Sequence, residues 1–238
     1  MDSPSVPFLV AIAFGLCMVA VRRARVRGAI ERGEEHACWI VLGVLAGWVL
    51  ASAILAARGV YLHPQALRFL PLLCGFLVPT ALVAGCVWRW PTFRRAIARV
   101  LASLPLAWLV AVQAIRLTAI GTILQYASGK LPAHFILPVA VPDFLVGATA
   151  LPMAVLAARN PDRARRGLVA WNLAGSSIFL LAGLLLHVSM PGPIQLFSSG
   201  PTTESVFRFP LALVPTFLVP FFVGVHGACL WRLYRRAA

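Results

Sequence analysis

Apolar runs at about 6–22, 37–57, 67–88, 105–126, 135–157, 167–188 and 210–231 dominate this chain, each near the ~20 residues a helix needs to cross a hydrocarbon core. Only short connections separate them. With 61% of residues hydrophobic and 12% charged, too little polar surface remains to cover a water-soluble globule. The expected fold is an all-α integral membrane protein with seven transmembrane helices in a single polytopic domain, 1–238, whose solvent is the lipid bilayer.

Arginine asymmetry predicts the orientation. Arg22, Arg23, Arg25, Arg27 and Arg32 lie in the first connection, Arg89, Arg94, Arg95 and Arg99 in the third, Arg159, Arg163, Arg165 and Arg166 in the fifth, and Arg232, Arg235 and Arg236 in the tail. The alternate connections hold only Arg58, Arg68, Lys130 and Arg208, about fourfold fewer cations. Basic connections stay in the cytoplasm, so the N-terminus is expected outside and the C-terminus inside. Met1 to Pro7 carry Asp2 and no basic residue, the opposite polarity to a cleavable signal peptide, so the first run reads as a retained helix.

A net charge of +14 raises the question of nucleic acid, but the arginines lie in short clusters between apolar runs rather than along one face, and no nucleic-acid partner is expected. Arginine so far outnumbers lysine, alongside abundant Ala, Val and Leu, that GC-rich bacterial coding and the bacterial inner membrane are the expected origin and location. Cys17, Cys38, Cys74, Cys86 and Cys229 sit in or beside apolar runs with no C-x-x-C spacing, and read as small buried residues rather than as a disulfide or zinc framework.

Between the third and fourth runs, Thr92 to Leu104 reads as an amphipathic helix, with Arg95 and Arg99 one turn apart and Phe93, Ile97, Val100 and Leu101 available to the lipid boundary. It either lies along the inner surface or extends the fourth helix. Ala127 to Pro132 supplies the turn chemistry of a tight hairpin. Ser189 to Phe209 is the longest external connection, from which Ile194, Leu196 and Phe197 are placed to dip into the interface.

The third and seventh runs share a pattern: Arg68-Phe69-Leu70-Pro71, Phe76-Leu77-Val78-Pro79 and Cys86-Val87-Trp88-Arg89 against Arg208-Phe209-Pro210, Phe217-Leu218-Val219-Pro220 and Cys229-Leu230-Trp231-Arg232. Segments 6–89 and 135–232, joined by helix 105–126, then read as parallel repeats in a three-plus-one-plus-three layout; chance sharing of Leu, Val and Gly is the alternative. That layout resembles SWEET-type sugar carriers, although Pro64-Gln65 falls in an external connection and not where related PQ-loop families carry that pair. Microbial rhodopsins share the seven-helix layout but need a lysine in the last helix, and Lys130 lies in a connection. From Gly129 onward, through Gly129-x-Leu131-Pro132, Phe135-x-Leu137-Pro138, Asp143, Trp171-Asn172-Leu173, Pro191-Gly192-Pro193-x-Gln195, Pro210-Leu211-x-Leu213-Val214-Pro215 and His226, the chain is similar to a group of bacterial multi-pass proteins with no assigned activity.

Arg116 and Asp143 are the ionisable groups expected inside the membrane. On helices rising 1.5 Å per residue they lie ~15 Å and ~12 Å below the outer ends of the fourth and fifth runs, so an ion pair near midplane is the economical arrangement. It serves either as a clamp between helices or, with Gln113 one turn away, as a site for a substrate or proton. Asn172, Ser176 and His226 map to the inner half, as packing hydrogen bonders or a secondary polar site. A haem shared by His187 and His226 fails on an offset of ~24 Å, and no cofactor is expected. His63, His134 and His187 map to the external side near Glu204 as weak metal candidates without ligand spacing. Pro138, Pro142 and Pro152, with Pro210, Pro215 and Pro220, free backbone carbonyls that bend a helix or face a cavity.

No catalytic signature appears, so an enzyme acting on a lipid or quinone ranks last. The leading expectation is a carrier or channel for an unknown small solute, anionic if Arg116 anchors it. The alternative is a membrane sensor or accessory subunit, working as a homo-oligomer or with a partner membrane protein.

Overall fold

An apolar solvent leaves each backbone N–H and C=O to be satisfied within its own segment, and among the described residues the chain answers with helices and no strand. The computed structural model describes residues 5–62, 76–191 and 195–235. The helices are α1 (Ser5–Val26), α2 (Arg32–Ala57), α3 (Val78–Arg89), α4 (Pro91–Ser103), α5 (Leu106–Ala127), α6 (Ala133–Arg159), α7 (Pro161–Val188) and α8 (Val214–Arg235). Six of them, α1, α2 and α5 to α8, are long and apolar enough to cross a membrane. The third run, expected at 67–88, is represented by the shorter apolar α3; the rest of it, with Pro64-Gln65, Arg68 and Cys74, lies outside the described residues. Large apolar side chains point outward, Leu180 and Leu184 of α7 being 75% and 61% exposed, as suits a protein solvated by lipid.

Helix ends follow from local chemistry. At Gly28 and Gly129, both with φ of 69°, the chain turns out of α1 and α5 in the left-handed conformation that glycine adopts without penalty. The Ala29 and Lys130 N–H groups reach back to Ala24 O (2.8 Å) and Gln125 O (2.9 Å), closing Schellman motifs. The second of these makes the tight hairpin between α5 and α6. At the start of α2, a Glu34 carboxylate oxygen accepts from the Glu31 N–H at 3.1 Å.

The same carboxylate holds α4, accepting from Arg99 at 2.9 Å with Arg95 at 3.8 Å. Phe93, Ala96 and Val100 share one face of α4 and are buried, and α4 packs against α1 and α2. Phe93 and Val100 therefore meet protein, not the lipid boundary expected for them. Nor is α4 an extension of α5: Leu104 is extended (φ −82°, ψ 140°) ahead of Pro105, whose ring disfavours a helical residue before it.

The chain divides into two compact units, Met1–Leu104 with Val206–Phe221 and Pro105–Ser205 with Phe222–Ala238. In the first, the Phe14 and Phe217 rings stack at 4.9 Å. Thr216 donates to Ala212 O (2.8 Å) and Ser52 to the Thr216 hydroxyl (2.8 Å), which leaves Tyr61 to donate to Ser52 (2.9 Å). Pro220 has no N–H for the Thr216 carbonyl one turn earlier, and the Trp48 indole donates to it instead at 3.0 Å.

In the second unit, α5, α6 and α7 pack in chain order. α5 tightens to a 3₁₀ stretch over Gln113–Ala119, and α6 widens into a π-turn over Ile136–Ala140, around Pro138. The part of α8 that belongs to the first unit likewise begins with a π-turn, Val214–Leu218, around Pro215. In the long connection, Thr203 donates to Leu186 O (2.8 Å) and Phe197 stacks on His134 at 3.9 Å, while Leu196 remains 74% exposed. Ile194 lies outside the described residues.

Candidate functional site

Arg116 is the centre of the second unit. It sits in the 3₁₀ stretch of α5, where side chains three apart eclipse, so Gln113 projects from the same side of the helix. Arg116 and Gln113 are 1% and 0% exposed. A buried guanidinium persists only if its N–H groups find acceptors, and here four of the five do. Nε and Nη2 both reach Asp143 Oδ1, at 2.7 and 2.6 Å; Nη1 reaches His226 Nε2 at 2.8 Å; Nη2 also reaches Gly175 O at 3.3 Å. The guanidinium carbon lies 4.5 Å from the Phe179 ring centroid, a cation–π contact on the remaining face.

These contacts settle the state of His226. A guanidinium only donates, so Nε2 accepts, Nδ1 carries the ring proton and donates to Asn172 Oδ1 at 2.8 Å, and Asn172 Nδ2 donates to Leu168 O at 2.8 Å. The imidazole is neutral in this arrangement. The edge of Trp171 approaches it at 5.7 Å between centroids, with the indole N–H on Thr149 at 3.0 Å.

Two glycines permit the assembly. An added Cβ at Gly175 would lie 2.7 Å from His226 Nε2 and 3.3 Å from Arg116 Nη1, so only glycine leaves room for both groups against α7. One at Gly147 would lie 2.7 Å from the Arg116 carbonyl carbon, so α6 lies directly on the backbone of α5 there.

Two acceptors stay open. Both guanidinium contacts fall on Asp143 Oδ1, leaving Oδ2 without a partner among the described residues on a side chain 21% exposed. Gln113 donates weakly to Phe222 O (3.4 Å), and its buried Oε1 has no partner. Of the two, Gln113 Oε1 is the buried one, and buried acceptors are seldom left empty in folded proteins. The centre therefore presents a buried positive charge beside unfilled acceptors.

The expectation that His226 and Asn172 form a separate inner-half group is corrected by these distances: they are the outer ring of the Arg116 centre. α8 starts its helix at Val214 and not at 210, which brings His226 to ~18 Å from that end, and the 3₁₀ rise of ~2.0 Å per residue carries Arg116 equally far from the α5–α6 hairpin. Ser176 does not join; it donates to Asn172 O at 2.9 Å. Gly175, Gly147 and Phe179 carry no polar signal, and sequence reasoning missed them. Of the three histidines expected on the external side, the two described have separate partners. His134 bonds Ser189 at 2.8 Å, His187 bonds Gly183 O at 3.0 Å, and His63 lies outside the described residues. Among the described residues no three His, Cys, Asp or Glu side chains are grouped to hold a metal.

The fold and this centre define a multi-pass α-helical membrane protein whose helices close around a buried arginine. Residues 69–234 match the family described as a domain of unknown function (DUF8737), and the chain belongs to that family. No curated protein and no solved structure matches it. The matched segment contains every residue of the centre.

Proposed function

We propose that this chain is a carrier or channel for a small solute that donates hydrogen bonds, working in the bacterial cytoplasmic membrane with its N-terminus outside and its C-terminus inside. One observation carries the reading: Asp143 Oδ2 is held open beside a buried guanidinium, four of whose five N–H groups have acceptors. An intramembrane carboxylate is expensive to maintain and marks a pathway more often than a passive face. The sealed guanidinium argues against the anionic solute expected from the sequence and in favour of hydroxyl, amide or ammonium donors. Distorted helices at the site, the 3₁₀ stretch of α5 and the π-turn of α6, match the broken helices on which carriers build midplane sites. The three-plus-one-plus-three repeat belongs to the same proposal.

The orientation is checked with C-terminal reporters: one active only in the cytoplasm should work, and activity from one that needs the outside would overturn the assignment. The pathway is checked with single cysteines at Val139 and Val146, one turn either side of Asp143, in a background lacking the native five. Both should react with a hydrophilic thiol reagent at least tenfold faster than a cysteine at Leu180, which is 75% exposed on the outer face of α7. Equal, slow reaction at all three would remove the carrier reading.

A second reading, the sensor or accessory subunit, is favoured by the filled shell around Arg116, which ties α5 to α6, α7 and α8 as a static lock would.

A further inference from the structure

We infer that Asp143 Oδ2 is a proton-binding site and, resting for this second half on the carrier reading above, that protons cross the membrane through it. The geometry separates the two carboxylate oxygens. Oδ1 takes both guanidinium N–H contacts, at 2.7 and 2.6 Å, while Oδ2 takes none, so a proton can bind and leave at Oδ2 without dismantling the pair. The step is a simple exchange: hydronium on one side gives its proton to Oδ2, an O–H bond forms and water is released, and the reverse occurs toward the other side.

Neutralising a carboxylate ordinarily strands its buried partner. Arg116 is provided for in that event by three electrically neutral contacts: the His226 Nε2 lone pair, the Gly175 carbonyl and the Phe179 ring face. His226 is itself fixed by Asn172, so this shell does not depend on Asp143. Ligand number then selects the ion. A metal cation would find one carboxylate at this centre, whereas hard cations take several oxygen ligands. A proton needs one oxygen.

The groups around Asp143 are few. Arg116 of α5 faces it, and His226 of α8 reaches it only through Arg116. At this level α7 contributes Asn172 and the Gly175 carbonyl, neither titratable. His134 and Arg159 lie toward the ends of α6, Asp162, Arg163, Arg165, Arg166 and His187 toward the ends of α7, Tyr126 at the end of α5, and Cys229, Arg232, Tyr234 and Arg235 further along α8. Within the spans of this unit Asp143 is the one carboxylate away from a helix end.

The test is an infrared pH titration of the full-length protein in lipid vesicles, following the carbonyl stretch of a protonated carboxyl. Asp2 and Asp162 are the other aspartates of the chain, so the titration is run in an Asp2→Asn, Asp162→Asn background. Among the carboxyl bands that disappear as pH rises, one should shift when the protein carries ¹³C-labelled aspartate, be absent in Asp143→Asn and return, unmoved by that label, in Asp143→Glu. With Asp143 the one labelled residue, the isotope shift keeps the test valid if the Asp143→Asn variant does not fold. Superimposable labelled and unlabelled spectra in this region, at every pH at which the protein is folded, would overturn the proton site. In parallel, vesicles with a lumenal pH dye and an imposed potassium diffusion potential should acidify with wild type and not with Asp143→Asn. A band without proton entry leaves the site standing and overturns the proton passage, and the cysteine reactivities decide the carrier reading separately.

Discussion

Arg116→Met, with Asp143 left in place, will lower stability by about 3–5 kcal/mol, because it leaves a carboxylate in hydrocarbon with no cation and deprives His226 Nε2 of its donor. Asp143→Leu will do comparable damage from the other side, because it leaves the Nε and one Nη2 N–H of the buried guanidinium without an acceptor. The double variant will recover part of the loss, since two apolar side chains of similar volume carry no uncompensated charge. Arg116→Lys will not rescue the fold: a lysine ammonium is a compact point charge that cannot span Asp143 Oδ1, His226 Nε2 and Gly175 O at once or stack on Phe179. Unfolding in detergent, monitored for the two single variants and the double, gives the coupling. Strictly additive losses would show that the two charges act independently.

Asp143→Asn belongs in the same series as the mildest of the aspartate changes. An asparagine carbonyl can still accept from the guanidinium, and the shell of His226, Gly175 and Phe179 remains. A loss as large as that of Asp143→Leu would mean that the shell does not support Arg116 without its counter-charge.

Much of this architecture is legible in the sequence because lipid is a demanding solvent. A helix that must cross it declares itself as a long apolar run, and α1, α2, α5, α6 and α7 begin or end within a few residues of the runs that announce them. α8 is the exception: Pro210 to Leu213 are apolar enough to join the run, yet the spanning helix begins at Val214. Composition records hydrophobicity and not helical phase. Arg116 and Asp143 are also legible together, since two opposite charges at similar depth on neighbouring helices have few other ways to survive.

The rest of the centre was hidden for a geometric reason. Counting 1.5 Å per residue from the ends of apolar runs puts His226 well below Arg116, and only the 3₁₀ stretch of α5 and the later start of α8 bring them level. Pro138 and Pro215 mark where regular geometry fails, but not whether the turn tightens or widens. Phe179 and Gly175 look like any other apolar residues in a membrane helix. Their roles come from what stands opposite them.

The glycines test that last point most severely. Gly147→Ala will lower stability by more than about 3 kcal/mol, beyond ordinary overpacking, because its Cβ would meet the α5 backbone at Arg116 and Leu117, where no flexible side-chain end can move aside. α5 and α6 must separate, and Arg116 is drawn away from Asp143. Gly175→Ala meets instead the ring of His226, 2.7 Å from the added carbon at Nε2, which can shift only by giving up Arg116 or Asn172; its loss will be about 1–3 kcal/mol. The two differ in what relieves them. Removing the ring with His226→Ala opens space for an alanine at 175, so in that background Gly175→Ala will be close to neutral, whereas Gly147→Ala will remain as damaging as before. Thermal unfolding of the two glycine variants with and without His226→Ala reads both comparisons. An undiminished Gly175→Ala penalty in the His226→Ala background would show that the imidazole is not packed against α7 at that glycine, and the centre would lose the contact that holds its outer ring in place.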